Sequence, residues 1–224
     1  YGIQKNPLAI RNFVNFAEDT WSVAPQYLLL LGKSIGYHRF GLNPAWFNLC
    51  LVPSYGHQPS DLMLSVRDTV GYENQLATGR VPAKTPAEVA AYLNKLIQYE
   101  TPSPCTKEDR LWRKTAINIA GGTNLSEANS FLSYLNKYKA IYEDTLMGGN
   151  VAYTYAKAAD LSVIVEFPDI DEEINNGLSM ITFLGHSSGQ YWNVDLGPPT
   201  DYNNVGKYPF MISSSCFVGN NGVF

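Results

Sequence analysis

Histidine and cysteine are scarce in this chain, and this scarcity limits the chemistry that it can perform. Among 224 residues there are three histidines, which are His38, His57 and His186. There are also three cysteines, Cys50, Cys105 and Cys216. An odd number of cysteines predicts no closed disulfide framework. The first two histidines have no second ligand close by in the sequence, so the spacing of a metal site is missing and we predict no metal.

Charge and long apolar runs are also limited. Charged residues make up 16 % of the chain, and the net charge of −4 argues against a nucleic-acid partner. No apolar run approaches the roughly 20 residues that a transmembrane helix needs. Gly32-Lys33-Ser34 is similar to the end of a phosphate-binding loop, but Tyr27 stands where that loop needs its first glycine. With 45 % hydrophobic residues, the sequence instead predicts an ordinary globular core.

Apolar strands alternate with helical segments along the chain, which is typical of an α/β protein with a mostly parallel sheet. Helical spacing predicts helices over Pro7 to Ala17, Thr85 to Glu100, Leu125 to Tyr142 and Ile170 to Asn175. Apolar runs predict strands over Gln26 to Leu31, Phe47 to Val52, Leu62 to Val66, Thr115 to Ala120, Val151 to Ala156, Leu178 to Leu184 and Tyr208 to Ser213. No internal repeat is present.

Two of these strands deliver reactive side chains. One ends at His186 and another ends just before Cys216. In open α/β sheets, functional groups collect at the carboxyl ends of the strands, so neighbouring parallel strands would bring both side chains to one edge. A cysteine beside a histidine is a nucleophile with its base. The pattern therefore predicts a His–Cys pair.

Two other interpretations of the same residues stay open. A cysteine at a strand end is often a buried packing residue, and a histidine there is often a hydrogen-bonded structural residue. In addition, Gly185 to Gly189 matches G-x-S-x-G, in which Ser187 would be the nucleophile of a serine hydrolase. That motif needs a helix after it, whereas Gln190 to Pro199 is interrupted by glycine and proline. It also needs a later histidine, and none follows His186.

Four stretches of the sequence together resemble the gingipain family of cysteine peptidases, in the wider caspase-like clan. The four stretches are Gln26 to Lys33, Leu76 to Glu100, Leu178 to Trp192 and Tyr208 to Gly219. The second of them is similar to the family's Gly-Arg segment and the helix after it. The last two are similar to the strands that deliver the histidine and the cysteine.

The resemblance implies a caspase-like three-layer α/β/α sandwich and peptide-bond cleavage through a thioester. It implies that His186 is the general base and acid and that Cys216 is the nucleophile. The backbone N–H groups of Ser187 and Cys216 would form the oxyanion hole. Trp192 would lie beside the substrate, although a core aromatic is an equally open role for it. The resemblance implies no cofactor.

The sequence departs from the family pattern at two places near the predicted site. Ser187 follows the histidine where the family has glycine. Some members carry a glutamate after the middle strand to orient the histidine, but Ala120 to Gly122 occupies that position here. We therefore expect the dyad to act alone. Members that select Arg or Lys carry an aspartate in the next segment, where Thr123 to Ser130 offers only Glu127, in an uncertain register, so basic-residue specificity is not implied.

Within the family, the chain is most similar to the type IX secretion-system sortases of Bacteroidetes. The resemblance implies a single catalytic domain over residues 1–224, incomplete at both ends, in an extracytoplasmic protein that is secreted or at the cell surface. A protein or peptide would be the substrate, and other secretion-system proteins would be partners. The alternative is a catalytically silent caspase-like module that binds partners in a secretion or adhesion assembly.

Overall fold

The computed structural model of the chain describes residues 5–36, 39, 42–56, 59–67, 73–101, 106–157, 165–166, 170–188, 191–216 and 218. The chain divides into two compact units, one built on residues 1–93 and the other on residues 94–218. The single catalytic domain over residues 1–224 stays a prediction.

A two-stranded parallel sheet forms the centre of the first unit. Its strands are β1 (Tyr27–Leu31) and β2 (Ala77–Val81). Its helices are α1 (Pro7–Thr20), α2 (Pro44–Leu49) and the start of α3 (Pro86–Glu100), which continues into the second unit. The Asn6 side chain accepts a hydrogen bond from the Leu8 N–H, and proline occupies the first turn, so the chain has a strong helix start before α1.

Local start signals explain two errors in the predicted strands. The strand predicted over Phe47 to Val52 is wrong, because its first half belongs to α2 and the rest forms no strand. The Asn43 side chain caps the Ala45 N–H, and Pro44 occupies the first helical turn, which together outweigh the apolar run. The strand predicted over Leu62 to Val66 is also wrong. A 3-10 helix covers Leu62–Leu64, and Val66 makes only an isolated bridge.

The apolar run in β1 is parallel, as predicted, but it is not fully buried. Leu30 is buried, whereas Tyr27, Leu29 and Leu31 are exposed. Successive side chains of a strand point to opposite faces. Among the described residues, therefore, only one face of β1 is well covered.

Arg80 of β2 links the segments that follow β1. Its guanidinium makes two hydrogen bonds to the Asp61 carboxylate, at 2.6 and 2.8 Å. It also donates to the backbone oxygens of Gly32 and Val52 and to the Ser54 hydroxyl. The Arg80 side chain is only 4 % exposed, so this group, called the Arg80 cluster below, is a buried structural contact. The Gly-Arg segment of the resemblance thus has a packing role in the first unit.

The second unit contains six strands, which are β3 (Thr115–Gly121), β4 (Asn150–Ala156), β5 (Val165–Glu166), β6 (Met180–Gly185), β7 (Val194–Asp195) and β8 (Phe210–Ser214). Four of them form a parallel sheet in the order β4-β3-β6-β8. Besides the end of α3, this unit contains the α-helices α4 (Leu125–Tyr142) and α5 (Ile170–Asn176). The short strands β5 and β7 pair with each other. The predicted bounds of α4 are confirmed, and those of the four sheet strands agree within two residues.

One helix covers each face of this sheet. On one face, the Asn118 amide of β3 donates to the Leu135 carbonyl of α4 at 3.4 Å. On the other face, Ile117 and Ile119 pack in one buried core cluster with Ile170 and Ile174 of α5. The second unit is therefore a layered α/β/α arrangement, as predicted, with β3 buried at its centre.

Candidate active site

The parallel pairing of β6 and β8 brings His186 and Cys216 to the same edge of the sheet. In this register, Leu184 of β6 lies opposite Ser214 of β8. His186 and Cys216 each follow two residues later, so the predicted convergence of the two strand ends is confirmed. The Ser187 hydroxyl donates to the Cys216 carbonyl oxygen, which links the two segments beyond the last strand pair. Cys216 is exposed.

The imidazole of His186 is hydrogen bonded to a carboxylate. Its Nε2 lies 3.1 Å from Oε2 of Glu127, in the first turn of α4. The ring also makes an edge contact with Phe131, one helical turn further along α4, at 6.0 Å between centroids. The expectation that no acid orients this histidine is therefore wrong. The acid is five residues beyond Gly122, the last residue of the segment in which the family pattern places it.

Thr123 holds Glu127 in its ionised form. The Thr123 hydroxyl donates to Oε2 at 2.5 Å, and the Thr123 backbone N–H donates to the same oxygen at 3.0 Å. These two bonds and the contact with His186 lower the pKa of Glu127 from its ordinary 4.5 to about 2. A carboxylate that is ionised at neutral pH can only accept a hydrogen bond, so Nε2 of His186 carries the N–H in this contact. In the neutral imidazole, Nδ1 is then the nitrogen without a proton.

Two glycines allow close approaches at this site. A Cβ atom on Gly122 would lie 2.6 Å from the Ala128 backbone nitrogen, so any larger residue would push the start of α4 away. A Cβ atom on Gly121 would lie 2.2 Å from Oδ1 of Asn193. Gly122 therefore lets α4, which carries Glu127, begin close to β3, and Gly121 leaves space for the Asn193 side chain. The pair is visible in the sequence, but its role is not.

A tight antiparallel turn follows His186. Ser187 and Trp192 form an isolated bridge, the Ser188 N–H donates to the Tyr191 carbonyl at 3.0 Å, and the Asn193 N–H donates to the His186 carbonyl at 2.9 Å. A nucleophile elbow needs a helix immediately after its serine. The turn around Ser187 does not meet this requirement, so the serine-hydrolase interpretation lacks its structural context.

The side chain of Trp192 packs against the core. Its ring stacks on Phe183 with the centroids 4.2 Å apart and the planes 3° from parallel. Phe183 belongs to the cluster shared with α5, whereas His186 contacts α4. This is the packing expected of a core aromatic residue. The role of Trp192 beside a substrate stays a prediction.

The remaining scarce residues do not join this site in the described part of the chain. Cys50 is buried, and burial raises the pKa of its thiol. His38, His57 and Cys105 lie outside the described residues. Among the described residues, no group of three or more His, Cys, Asp or Glu side chains is arranged to hold a metal ion.

Fold and site together define the class of protein. A parallel sheet with helices on both faces carries a thiol and an acid–histidine pair at its carboxyl edge, which are the groups that a cysteine peptidase needs. The model of peptidase family C25 matches residues 1–224, and the chain belongs to this family. The predicted resemblance to gingipains is thus confirmed.

One solved structure supports the fold. The chain is similar to the crystal structure of the Arg-specific cysteine proteinase gingipain R, with a TM-score of 0.64 and 19 % sequence identity. The alignment covers 96 % of this chain and 46 % of the gingipain R chain, so this chain spans less than half the length of that protein. The predicted gingipain-like, caspase-like fold is confirmed. No curated protein sequence matches the chain.

None of the helices in the described residues has both the length and the apolar character needed to cross a membrane.

Proposed function

We propose that this protein is a cysteine endopeptidase or transpeptidase in which Cys216 is the nucleophile, His186 is the general base and acid, and Glu127 orients His186. The observation that carries the proposal is the β6–β8 register together with the 3.1 Å contact between His186 and Glu127. Membership of peptidase family C25 supports the same reaction class.

In the first step, Nδ1 of His186 takes the proton of the Cys216 thiol. The thiolate then attacks the carbonyl carbon of the scissile peptide and forms a C–S bond, and the C=O π electrons move to the oxygen. Because Nε2–H of His186 is donated to ionised Glu127, the imidazolium that forms has a negative partner at 3.1 Å. General acid–base help of this kind is worth roughly 10²–10⁴-fold in rate.

In the second step, the tetrahedral oxyanion accepts hydrogen bonds from the backbone N–H groups of Ser187 and Cys216. Loss of one such donor typically costs about 2.7–4 kcal/mol of transition-state stabilisation. The oxyanion then collapses, the C–N bond breaks, and the leaving amine takes the proton from His186. A thioester on Cys216 remains. Water or an amine then attacks the thioester carbon while His186 accepts its proton. The C–S bond breaks, the Cys216 thiolate leaves, and His186 returns the proton to it, which completes hydrolysis or transpeptidation.

Labelling of the thiols tests the dyad. Iodoacetamide at neutral pH should label Cys216 in the full chain much faster than Cys50 or Cys105, because the neighbouring imidazole favours the thiolate. His186→Ala should slow the labelling of Cys216, and Cys216→Ala should abolish cleavage of a casein or peptide-library substrate. Ser187→Ala should retain cleavage. Glu127→Gln should slow both labelling and cleavage, and Glu172→Gln, which removes an exposed carboxylate of α5, is its matched control and should change neither.

Labelling of Cys216 at the same rate in His186→Ala and in the wild-type chain, together with no cleavage by the wild-type chain, would point to the silent binding module instead. The contact between Glu127 and His186 favours the enzyme, since a module without chemistry has no need of an oriented imidazole.

In its finer form, the proposal is a sortase that removes carboxyl-terminal sorting domains from secreted cargo, outside the cytoplasm and with other secretion-system proteins as partners. The resemblance of the sequence to type IX sortases supports this form. Mass spectrometry should detect the acyl product of a cargo-tail peptide joined to an added amine, with a scrambled tail as control. Cleavage of both peptides at equal rates would instead indicate a general peptidase.

A further inference from the structure

We propose that Asn193 is a positioning residue that holds the two halves of the His186–Glu127 pair at their working separation. This inference rests on the proposed function. Asn193 follows the turn after His186 and is distant in sequence from β3 and α4. Its role is absent from the resemblance and from every motif in the sequence.

The amide of Asn193 connects both strands that lead into the site. Its Nδ2 donates to the Gly121 carbonyl, at the end of β3, at 2.7 Å. Its Oδ1 lies 3.4 Å from the backbone nitrogen of His186, just after β6, and accepts its N–H. The Asn193 backbone N–H also donates to the His186 carbonyl at 2.9 Å. One residue therefore fixes the backbone of His186 on both sides and anchors it to β3.

The Gly121 carbonyl begins the short loop that carries the acid. Thr123, which holds the Glu127 carboxylate, is only two residues beyond Gly121. A shift of β3 relative to β6 at this point would change the distance between the Glu127 and His186 side chains directly. The Asn193 amide is a hydrogen-bonded bridge between these two backbones at the last strand pair, Gly121 with Gly185.

The absence of side chains on two paired glycines leaves space for this amide. The strands meet here as a glycine–glycine pair, and a Cβ atom on Gly121 would lie 2.2 Å from Asn193 Oδ1. A Cβ atom on Gly185 would lie 2.8 Å from the Gly121 Cα atom. The amide thus occupies the space that a side chain on Gly121 would otherwise fill.

Double-mutant analysis tests the inference on the full chain. Asn193→Ala and Glu127→Ala should each lower the rate of Cys216 alkylation at neutral pH and kcat/KM for peptide cleavage. The loss from Asn193→Ala should reach up to about 10²-fold, the effect of a misplacement near 1 Å. Because Asn193 acts through the Glu127–His186 contact, the double variant should be no slower than Glu127→Ala alone.

Two further variants distinguish a specific role of the Asn193 amide from a general loss of folding. Asn193→Asp keeps the size of the side chain and its acceptor for His186 but loses the donor for Gly121, so it should fold and should lose as much as Asn193→Ala. Asn175→Ala is the matched control. The Asn175 side chain also accepts a backbone N–H, from Asn203 at 2.6 Å, but lies in α5. Asn175→Ala should leave both Cys216 alkylation and peptide cleavage unchanged.

Alkylation needs no peptide substrate, so the two proposals can fail separately. If His186→Ala and Glu127→Ala slow alkylation but Asn193→Asp does not, the positioning role is overturned and the dyad stands. Additive losses in the Asn193→Ala/Glu127→Ala double variant also overturn it, because Asn193 would then act independently of the acid. If His186→Ala alkylates as fast as the wild type, both proposals fail.

Discussion

Glu127 performs two tasks at the scale of a single residue. It accepts both hydrogen bonds of Thr123 at the start of α4 and also contacts Nε2 of His186. Its side chain is 36 % exposed, so these polar contacts, and not burial, determine its charge. A carboxylate that is already fixed by its own loop needs little reorganisation when the imidazole becomes charged.

A substitution of Thr123 tests the ionisation of Glu127. The folded-state pKa of Glu127 is lowered to about 2 from an ordinary 4.5, so its stabilising contribution is present above pH 4.5 and is lost as the pH falls towards 2. Thr123→Val removes the largest cause of this shift. We expect Thr123→Val to lower the free energy of unfolding at about pH 7 and to have a smaller effect at about pH 3.

Urea denaturation at both pH values measures this effect, and carboxyl NMR titration should show the pKa of Glu127 moving back up in Thr123→Val. Thr123→Ser retains the hydroxyl and serves as the control. An equal loss of stability at both pH values would mean that Thr123 contributes by packing alone.

The sequence predicted His186 and Cys216 at this scale but missed Glu127 and Asn193. The histidine and the cysteine could be predicted because each directly follows an apolar run that reads as a strand. Glu127 instead reads as part of a helix start, three residues after the cap Asn124. Nothing in the spacing of Asn193 indicates that its amide reaches β3. Both depend on how closely Gly121 and Gly122 let the backbones approach, and this is a tertiary property.

At the scale of elements, the long periodic segments were the most predictable. α4 has a capped start and a long helical pattern, and its bounds were predicted correctly. The central strand β3 is buried on both faces and reads as a continuous apolar run. The errors are in the first unit, where short apolar runs are ambiguous between helix and strand. In α2, Asn43 and Pro44 decide the outcome.

Loss of the Asp61 charge from the Arg80 cluster should lower the free energy of unfolding. Asp61→Ala leaves the guanidinium buried without its carboxylate, which typically costs about 3–5 kcal/mol. Asp19→Ala is the matched control, because it breaks the exposed contact of 2.7 Å with Arg67, a class of pair worth about 0–1 kcal/mol. Urea denaturation compares the two variants. Similar small losses would show that the Arg80 cluster is solvated in solution.

At the scale of the whole molecule, the two cysteines that the structure describes lie in opposite environments. Cys216 is exposed at the edge of the sheet in the second unit, whereas Cys50 is fully buried in the first. Burial also raises the pKa of the Cys50 thiol, which lowers the fraction of reactive thiolate. The same reagent should therefore report on different properties of the two units.

In a Cys105→Ser/Cys216→Ser variant, alkylation of Cys50 should be slow in buffer and should accelerate with urea along the unfolding curve of the first unit. Mass spectrometry of the modified fraction, beside the circular dichroism signal, measures this. A Cys50→Ser/Cys105→Ser variant, which retains only Cys216, is the control and should react without denaturant. Rapid labelling of Cys50 in buffer would contradict its burial.

The glycine pair between β3 and β6 has a consequence for how this protein can vary. Because Gly121 and Gly185 bring two backbones together without side chains, a bulky replacement at either position disturbs the imidazole and the carboxylate at the same moment. A substitution in β3 or β6 at this pair therefore cannot shift the imidazole without also shifting the carboxylate. Substitutions that change activity are therefore expected in the surrounding loops, and Gly121 and Gly185 are expected to stay glycine.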